Sequence, residues 1–126
     1  MVGNEGHHPV TLVLGASPNP MRYANLAIRR LRERGYPVLA IGKRQGMVAD
    51  VPIQRELPPD ALVDTVTMYL SAANQAPWED LLLALSPRRI IFNPGAENPA
   101  FAKRATAQGV EVENACTLVM LATGVY

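Results

Sequence analysis

The sequence predicts one α/β domain built on a doubly wound, five-stranded parallel sheet. Three observations carry that prediction. Short and almost wholly apolar runs recur along the chain, beginning with Val10-Thr11-Leu12-Val13-Leu14, and such runs suit strands buried on both faces. Stretches with apolar residues at helical spacing alternate with them, the pattern of strand–helix–strand crossovers. The chain has 126 residues, 48% of them hydrophobic, enough for one core and short of two domains.

The elements follow in order. Residues 1–9 hold two glycines and two histidines without periodicity, and are expected as a flexible tail ahead of a domain spanning 10–126. His7-His8 alone makes a weak metal site. Val10–Leu14 is the first strand. From Met21 to Arg34 the period becomes 3.6, with Ala24, Ala27, Ile28 and Leu31 on one face and Gly35 as the stop signal. Tyr36–Ile41 reads as the second strand, Gly42–Pro52 as loop, and Val51–Ile53 as a short extended piece. Leu57–Leu62 has room for one helical turn. Val63–Leu70 is the third strand. Trp78, Leu81, Leu82 and Leu85 restore helical spacing, with Pro77 tolerated in the first turn. Arg89–Asn93 is the fourth strand. Asn98-Pro99 is an N-cap followed by proline at the first helical position, and Phe101, Ala102 and Ala105 form the buried stripe up to Gly109. Val110–Glu113 is the fifth strand. Thr117–Ala122 reads either as a short helix or as an extended closing segment. Right-handed crossovers give 3-2-1-4-5 as the expected strand order, with the first and fourth strands as neighbours where the winding reverses.

Composition excludes several function classes. Net charge is +1, and the longest basic clusters are Arg29-Arg30 and Lys43-Arg44, so no nucleic-acid surface is expected. No apolar stretch reaches the ~18 residues of a membrane span, and the N-terminus lacks a signal-peptide core. The single cysteine, Cys116, rules out an internal disulfide and suits a reducing compartment. A cytoplasmic protein is expected.

The chemistry concentrates in two turns. Gly15-Ala16-Ser17-Pro18-Asn19-Pro20 leaves the first strand and enters a helix, whose N-terminus can seat a phosphate. Asn93-Pro94-Gly95-Ala96-Glu97-Asn98-Pro99 leaves the fourth strand. Two such turns point to a nucleotide-type ligand held between them. Ser17 can donate to a phosphate oxygen or cap the helix, and Pro18 and Pro20 stiffen the turn. Arg22 and Tyr23 lie within reach of a phosphate or a flat ring. The dinucleotide fingerprint G-x-G-x-x-G is incomplete: Ser17 and Pro20 replace its second and third glycines. Gly42-Lys43-Arg44 follows the second strand in place of a ribose-gripping acid. A basic pair there suits a phosphorylated ribose, which favours NADP or coenzyme A over NAD. Catalysis finds little support. Ser17 has no base, Cys116 has no histidine near it and suits packing, Glu97 lacks a carboxylate partner, and no metal-ligand spacing occurs.

With Val13–Pro20, Gly35–Val38, Ile90–Asn98 and Cys116–Leu121 together, the chain resembles the small stand-alone CoA-binding-domain proteins. These share a Rossmann-like fold with the nucleotide-binding domain of the succinyl-CoA synthetase α subunit. The resemblance covers 10–126. It implies a coenzyme A or acyl-CoA ligand whose phosphates meet Gly15–Pro20. It implies that Ile41, Gly42, Lys43 and Arg44 flank the adenosine, and that Tyr69, Leu70 and the Asn93–Asn98 turn complete the pocket. Many members end the second strand with Val-Asn-Pro, where this chain has Ile41-Gly42-Lys43. The expected function is a non-catalytic binding or sensor module for a small nucleotide ligand. The alternatives are a small enzyme acting on a CoA thioester through Glu97 or Cys116, and an NADP-binding module that needs a partner. A homodimer or a protein partner stays open.

Overall fold

The structure is a computed structural model that describes residues 9–126. Apart from Pro9, the expected tail and its histidine pair lie outside the described residues. Seven strands form one sheet: β1 (Thr11–Leu14), β2 (Val38–Ile41), β3 (Gly46–Val48), β4 (Val51–Gln54), β5 (Thr65–Met68), β6 (Arg89–Phe92) and β7 (Glu111–Asn114). The helices are α1 (Tyr23–Glu33), α2 (Ala72–Gln75), α3 (Glu79–Ala84), α4 (Pro99–Ala107) and α5 (Thr117–Thr123), with a 3-10 turn at Ala76–Trp78 joining α2 to α3. The closing segment is thus helical.

The architecture is three layers, as strands buried on both faces require. Leu12 and Leu14 point to the face covered by α3 and α4, where Leu82, Leu83, Phe101 and Ala105 meet them in one core cluster. Val13 points the other way, to Ala24, Ile28 and Leu31 of α1 and Leu121 of α5. The alternation along β1 follows from the two-residue strand period.

Two expectations about the sheet are corrected. It is not a five-stranded parallel sheet, because the segment expected as loop contains β3, which pairs antiparallel with β4 through Gly46↔Ile53, Met47↔Pro52 and Val48↔Val51. Three residues are too few to show alternation, and Pro52 reads as a breaker. The order 3-2-1-4-5 also fails. The observed order is β3-β4-β2-β1-β5-β6-β7, or 2-1-3-4-5 for the five expected strands. β4 pairs with the outer edge of β2 through Ala40↔Ile53 and Ile41↔Gln54. That edge is therefore closed to the strand that follows, and β5 docks on the free edge of β1 instead, from Thr11↔Thr65 to Leu14↔Met68. The winding reverses between β1 and β5.

Candidate functional site

A cavity of about 1090 Å³ opens at the C-terminal ends of β1, β2 and β5. This is the position where doubly wound sheets bind ligands, outside the strand ends at the switch point.

The floor is main chain held close by two glycines. Gly15 has φ +97°, and a Cβ there would stand 3.1 Å from the carbonyl carbon of Tyr69 and the amide nitrogen of Leu70. The exits of β1 and β5 are in contact at that point. At Gly42 a Cβ would stand 2.1 Å from the carbonyl oxygen of Ala16, so the exit of β2 presses against the β1–α1 turn. The N–H groups of Gly15 and Ala16 both donate to the Ile41 carbonyl, at 2.9 and 2.8 Å. A glycine at position 42 therefore has a steric reason within this chain.

Side chains brace the turn. Ser17 Oγ accepts the Asn19 N–H at 3.1 Å, and Asn19 Oδ1 accepts the Met21 N–H at 2.9 Å. The buried Asn25 on α1 donates through Nδ2 to the Ser17 carbonyl at 3.0 Å. Ser17 does not cap α1, whose N-terminus at Arg22 has no side-chain cap. An uncapped helix start leaves N–H donors for an anion. From the other side, a Cβ on Gly46 would stand 2.8 Å from Pro18 Cβ, so the β3–β4 hairpin backs the turn.

The walls differ in chemistry. Lys43, Arg44 and Arg55 stand on the β2–β4 side and Arg22 at the start of α1, and the lining contains no carboxylate among the described residues. Arg55 Nη2 donates to the Lys43 carbonyl at 3.4 Å. Opposite them, Leu70, Ala73, Pro77, Trp78 and Pro94 form an uncharged wall, with Asn74 as its polar member. Tyr69 stands between. Burial pushes its phenol up to about 12, with nearby Thr67 and Thr117 working the other way. Those two hydroxyls are engaged with each other at 2.7 Å, and Tyr69 Oη makes no hydrogen bond among the described residues.

Of the residues expected at the site, Gly15, Ala16, Ser17, Asn19, Arg22, Tyr23, Ile41, Gly42, Lys43, Arg44, Tyr69, Leu70 and Pro94 line the cavity. Pro18, Pro20, Asn93, Gly95, Glu97 and Asn98 do not. The topology accounts for the members of the Asn93 turn other than Pro94, which reaches the cavity. The Asn93 turn leaves β6, which β5 separates from β1, about 10 Å away by strand spacing. Its polar side chains serve the fold. Asn93 Nδ2 donates to Thr67 Oγ1 and the Met68 carbonyl, and its Oδ1 accepts the Thr117 N–H at 2.8 Å. Asn98 Oδ1 accepts the Phe101 N–H as the α4 cap, and its Nδ2 donates to Gln75 Oε1 at 2.9 Å. Gln75, fully buried, donates to the carbonyls of Leu70 and Ala96. Glu97 accepts the Gly95 N–H within its own turn. Cys116 is the N-cap residue of α5.

Sequence reasoning missed Met21, Arg55, Ala73, Asn74, Pro77 and Trp78, together with Leu14 and Ala24, which it placed in the core. The signal for Arg55 was its place directly after Val51–Gln54: parallel pairing of that segment with β2 puts Arg55 level with Gly42, one residue before Lys43. Trp78 was assigned to a helix face because its spacing to Leu81 and Leu82 is helical.

Among the described residues no helix is long and apolar enough to cross a membrane, and no cluster of three or more His, Cys, Asp or Glu is placed to hold a metal. A crystal structure of an uncharacterized protein is similar over 94% of this chain and 98% of its own, at 41% identity and TM-score 0.89. A structure from Thermus thermophilus is similar over 94% of this chain and 90% of its own, at 24% identity and TM-score 0.82. An acetyl-coenzyme A synthetase from Ca. Korarchaeum cryptofilum, in complex with phosphate and ADP, is similar over 91% of this chain but 27% of its own, at 16% identity and TM-score 0.69. These last two likenesses concern the fold. No curated protein matches the chain. The family described as CoA binding domain matches residues 10–122, nearly the whole of the three-layer unit that builds the cleft, and the chain belongs to that family.

Proposed function

We propose that the chain binds coenzyme A or an acyl-CoA in the cleft between β1, β2 and β5, as a binding module without turnover of its own. The carrying observation is the charge of the lining: four cationic side chains and no carboxylate, in a chain whose net charge is +1. A cleft of one sign concentrates a ligand of the other, and coenzyme A is a polyanion. The order of its parts also fits the order of the walls. The pyrophosphate would lie on the Gly15–Ser17 turn and the uncapped start of α1. The phosphorylated ribose would lie toward Lys43, Arg44 and Arg55, and the pantetheine arm toward β5. The Ser17 hydroxyl already accepts from Asn19, which leaves its hydrogen to donate to a phosphate.

Nothing in the lining supports acid–base chemistry at neutral pH. The Tyr69 phenol, neutral at pH 7 in any case, is pushed further up to about 12 by burial, and Glu97, outside the lining, accepts the Gly95 N–H within its own turn. Calorimetric titration with coenzyme A, dephospho-coenzyme A and NADP tests the reading. Coenzyme A should bind tighter than dephospho-coenzyme A, and alanine at Lys43, Arg44 and Arg55 together should erase the difference. Equal affinity for both ligands in the parent protein, or tighter binding of NADP, would refute the assignment. Release of free thiol from an acyl-CoA by the pure protein would show an enzyme instead.

A further inference from the structure

Building on the coenzyme A reading, we infer that the cleft selects an acyl thioester over the free thiol, with the acyl group against the wall formed by Leu70, Ala73, Pro77 and Trp78. The argument starts from distance. Three strand spacings separate β4 from β5, about 14 Å, and the phosphate turn after β1 lies between them. A nucleotide anchored at the Lys43–Arg55 side therefore directs its other end past β5, onto α2 and the 3-10 turn.

What waits there is apolar. Leu70 and Trp78 pack in part against the main core cluster, which holds them in place, while Ala73 and Pro77 are exposed. All four line the cavity. The buried Gln75 ties this segment to the sheet, donating to the carbonyls of Leu70 at 2.8 Å and Ala96 at 2.7 Å, so the wall is fixed before any ligand arrives. No cation stands on it to favour a thiolate. Asn74, which also lines the cavity, donates to Ser71 Oγ at 3.1 Å. A free thiol would leave this surface facing water. An alkyl group on the sulfur covers it, and burial of each methylene is worth about a fourfold gain in affinity.

Trp78 is the sole tryptophan, so its emission reports occupancy of the wall. The experiment titrates the protein with coenzyme A, acetyl-CoA, butyryl-CoA and succinyl-CoA, following both heat and Trp78 fluorescence. Butyryl-CoA is expected to bind at least tenfold tighter than coenzyme A and to shift the emission. Succinyl-CoA, of similar length but charged at its end, is expected to show no such gain. Trp78→Ala should bring the ratio of butyryl-CoA to coenzyme A affinity down to about one. Trp78→Phe, which keeps an aromatic side chain on the core, should retain most of the preference. If coenzyme A binds and butyryl-CoA binds no tighter, the acyl inference is overturned while the coenzyme A reading stands. If no coenzyme A species binds, both fall.

Discussion

Replacing Gly42 by alanine tests the idea that the cleft floor is set by main-chain contact. The added methyl carbon would stand 2.1 Å from the Ala16 carbonyl oxygen, 3.0 Å from the Ala16 carbonyl carbon and 3.2 Å from Ile53 Cγ2. An ordinary contact needs more than an ångström beyond the first of these distances, so the β1–α1 turn must move away from β2. That movement pulls Gly15 and Ala16 off the Ile41 carbonyl, two hydrogen bonds of 2.9 and 2.8 Å. Overpacking costs about 1–3 kcal/mol, and each bond about 1 kcal/mol net. A loss of about 2–4 kcal/mol follows once partial relaxation is allowed for, or about 8–15 °C in Tm for a chain of this size. The same displacement moves the β1–α1 turn, so on the proposed function coenzyme A affinity should fall by at least tenfold. Gly95→Ala is the control. Its Cβ would meet nothing within 4 Å, and only its φ of +93° resists the change, at about 1–2 kcal/mol; affinity should hold. Thermal melting and calorimetry on both variants decide the matter. A Gly42→Ala protein with parental Tm and affinity would refute the reasoning.

Ser17→Ala should cost about 1.5–3 kcal/mol in coenzyme A binding, the range for a hydrogen bond to a charged group, and calorimetry at constant ionic strength reads it directly. Asn98→Ala should act on stability alone: loss of the α4 cap costs about 1 kcal/mol, and the stranded Gln75 carbonyl about 1–3 kcal/mol more, so urea unfolding should shift while coenzyme A affinity does not. Tyr69 gives a pH dependence with a defined sign. Its folded pKa of about 12 lies above the ordinary 10, so its contribution is complete below pH 10 and is lost as pH rises from 10 to 12. Tyr69→Phe should flatten the fall of stability in that window, as measured by denaturant unfolding at each pH.

Much of the fold was legible because parallel strands buried on both faces announce themselves as apolar runs. β1, β5 and β6 are buried at every position, and each was found. β3 was not, since three residues starting with glycine carry no period. The strand order was illegible for a related reason. Both orders use right-handed crossovers, and what chooses between them is whether the outer edge of β2 is free. The unrecognised hairpin covers it. The same omission put the Asn93 turn opposite Gly15. Asn93 and Asn98 looked like ligand contacts because polar residues in a strand-to-helix turn serve equally to hold a ligand or to satisfy buried backbone, and only their partners tell the two apart. Gly15 and Ser17 were legible because a strand followed at once by a glycine turn and a helix has few other uses.

The two glycine contacts in the floor have an evolutionary consequence. Gly15 and Gly42 are locked by neighbouring backbone, so in this chain a larger residue at either position has to move that backbone. The rim is the reverse. Met21, Tyr23, Lys43, Arg44, Arg55 and Pro77 are exposed, and none of them is a buried member of either core cluster. Substitution at these positions spares the glycine contacts that set the depth and position of the cleft. A lineage can therefore exchange one ligand for another by drifting through rim residues while the domain stays folded at each step. A laboratory library confined to the rim explores the same route, with Tm as an internal check that every member still carries the parental floor.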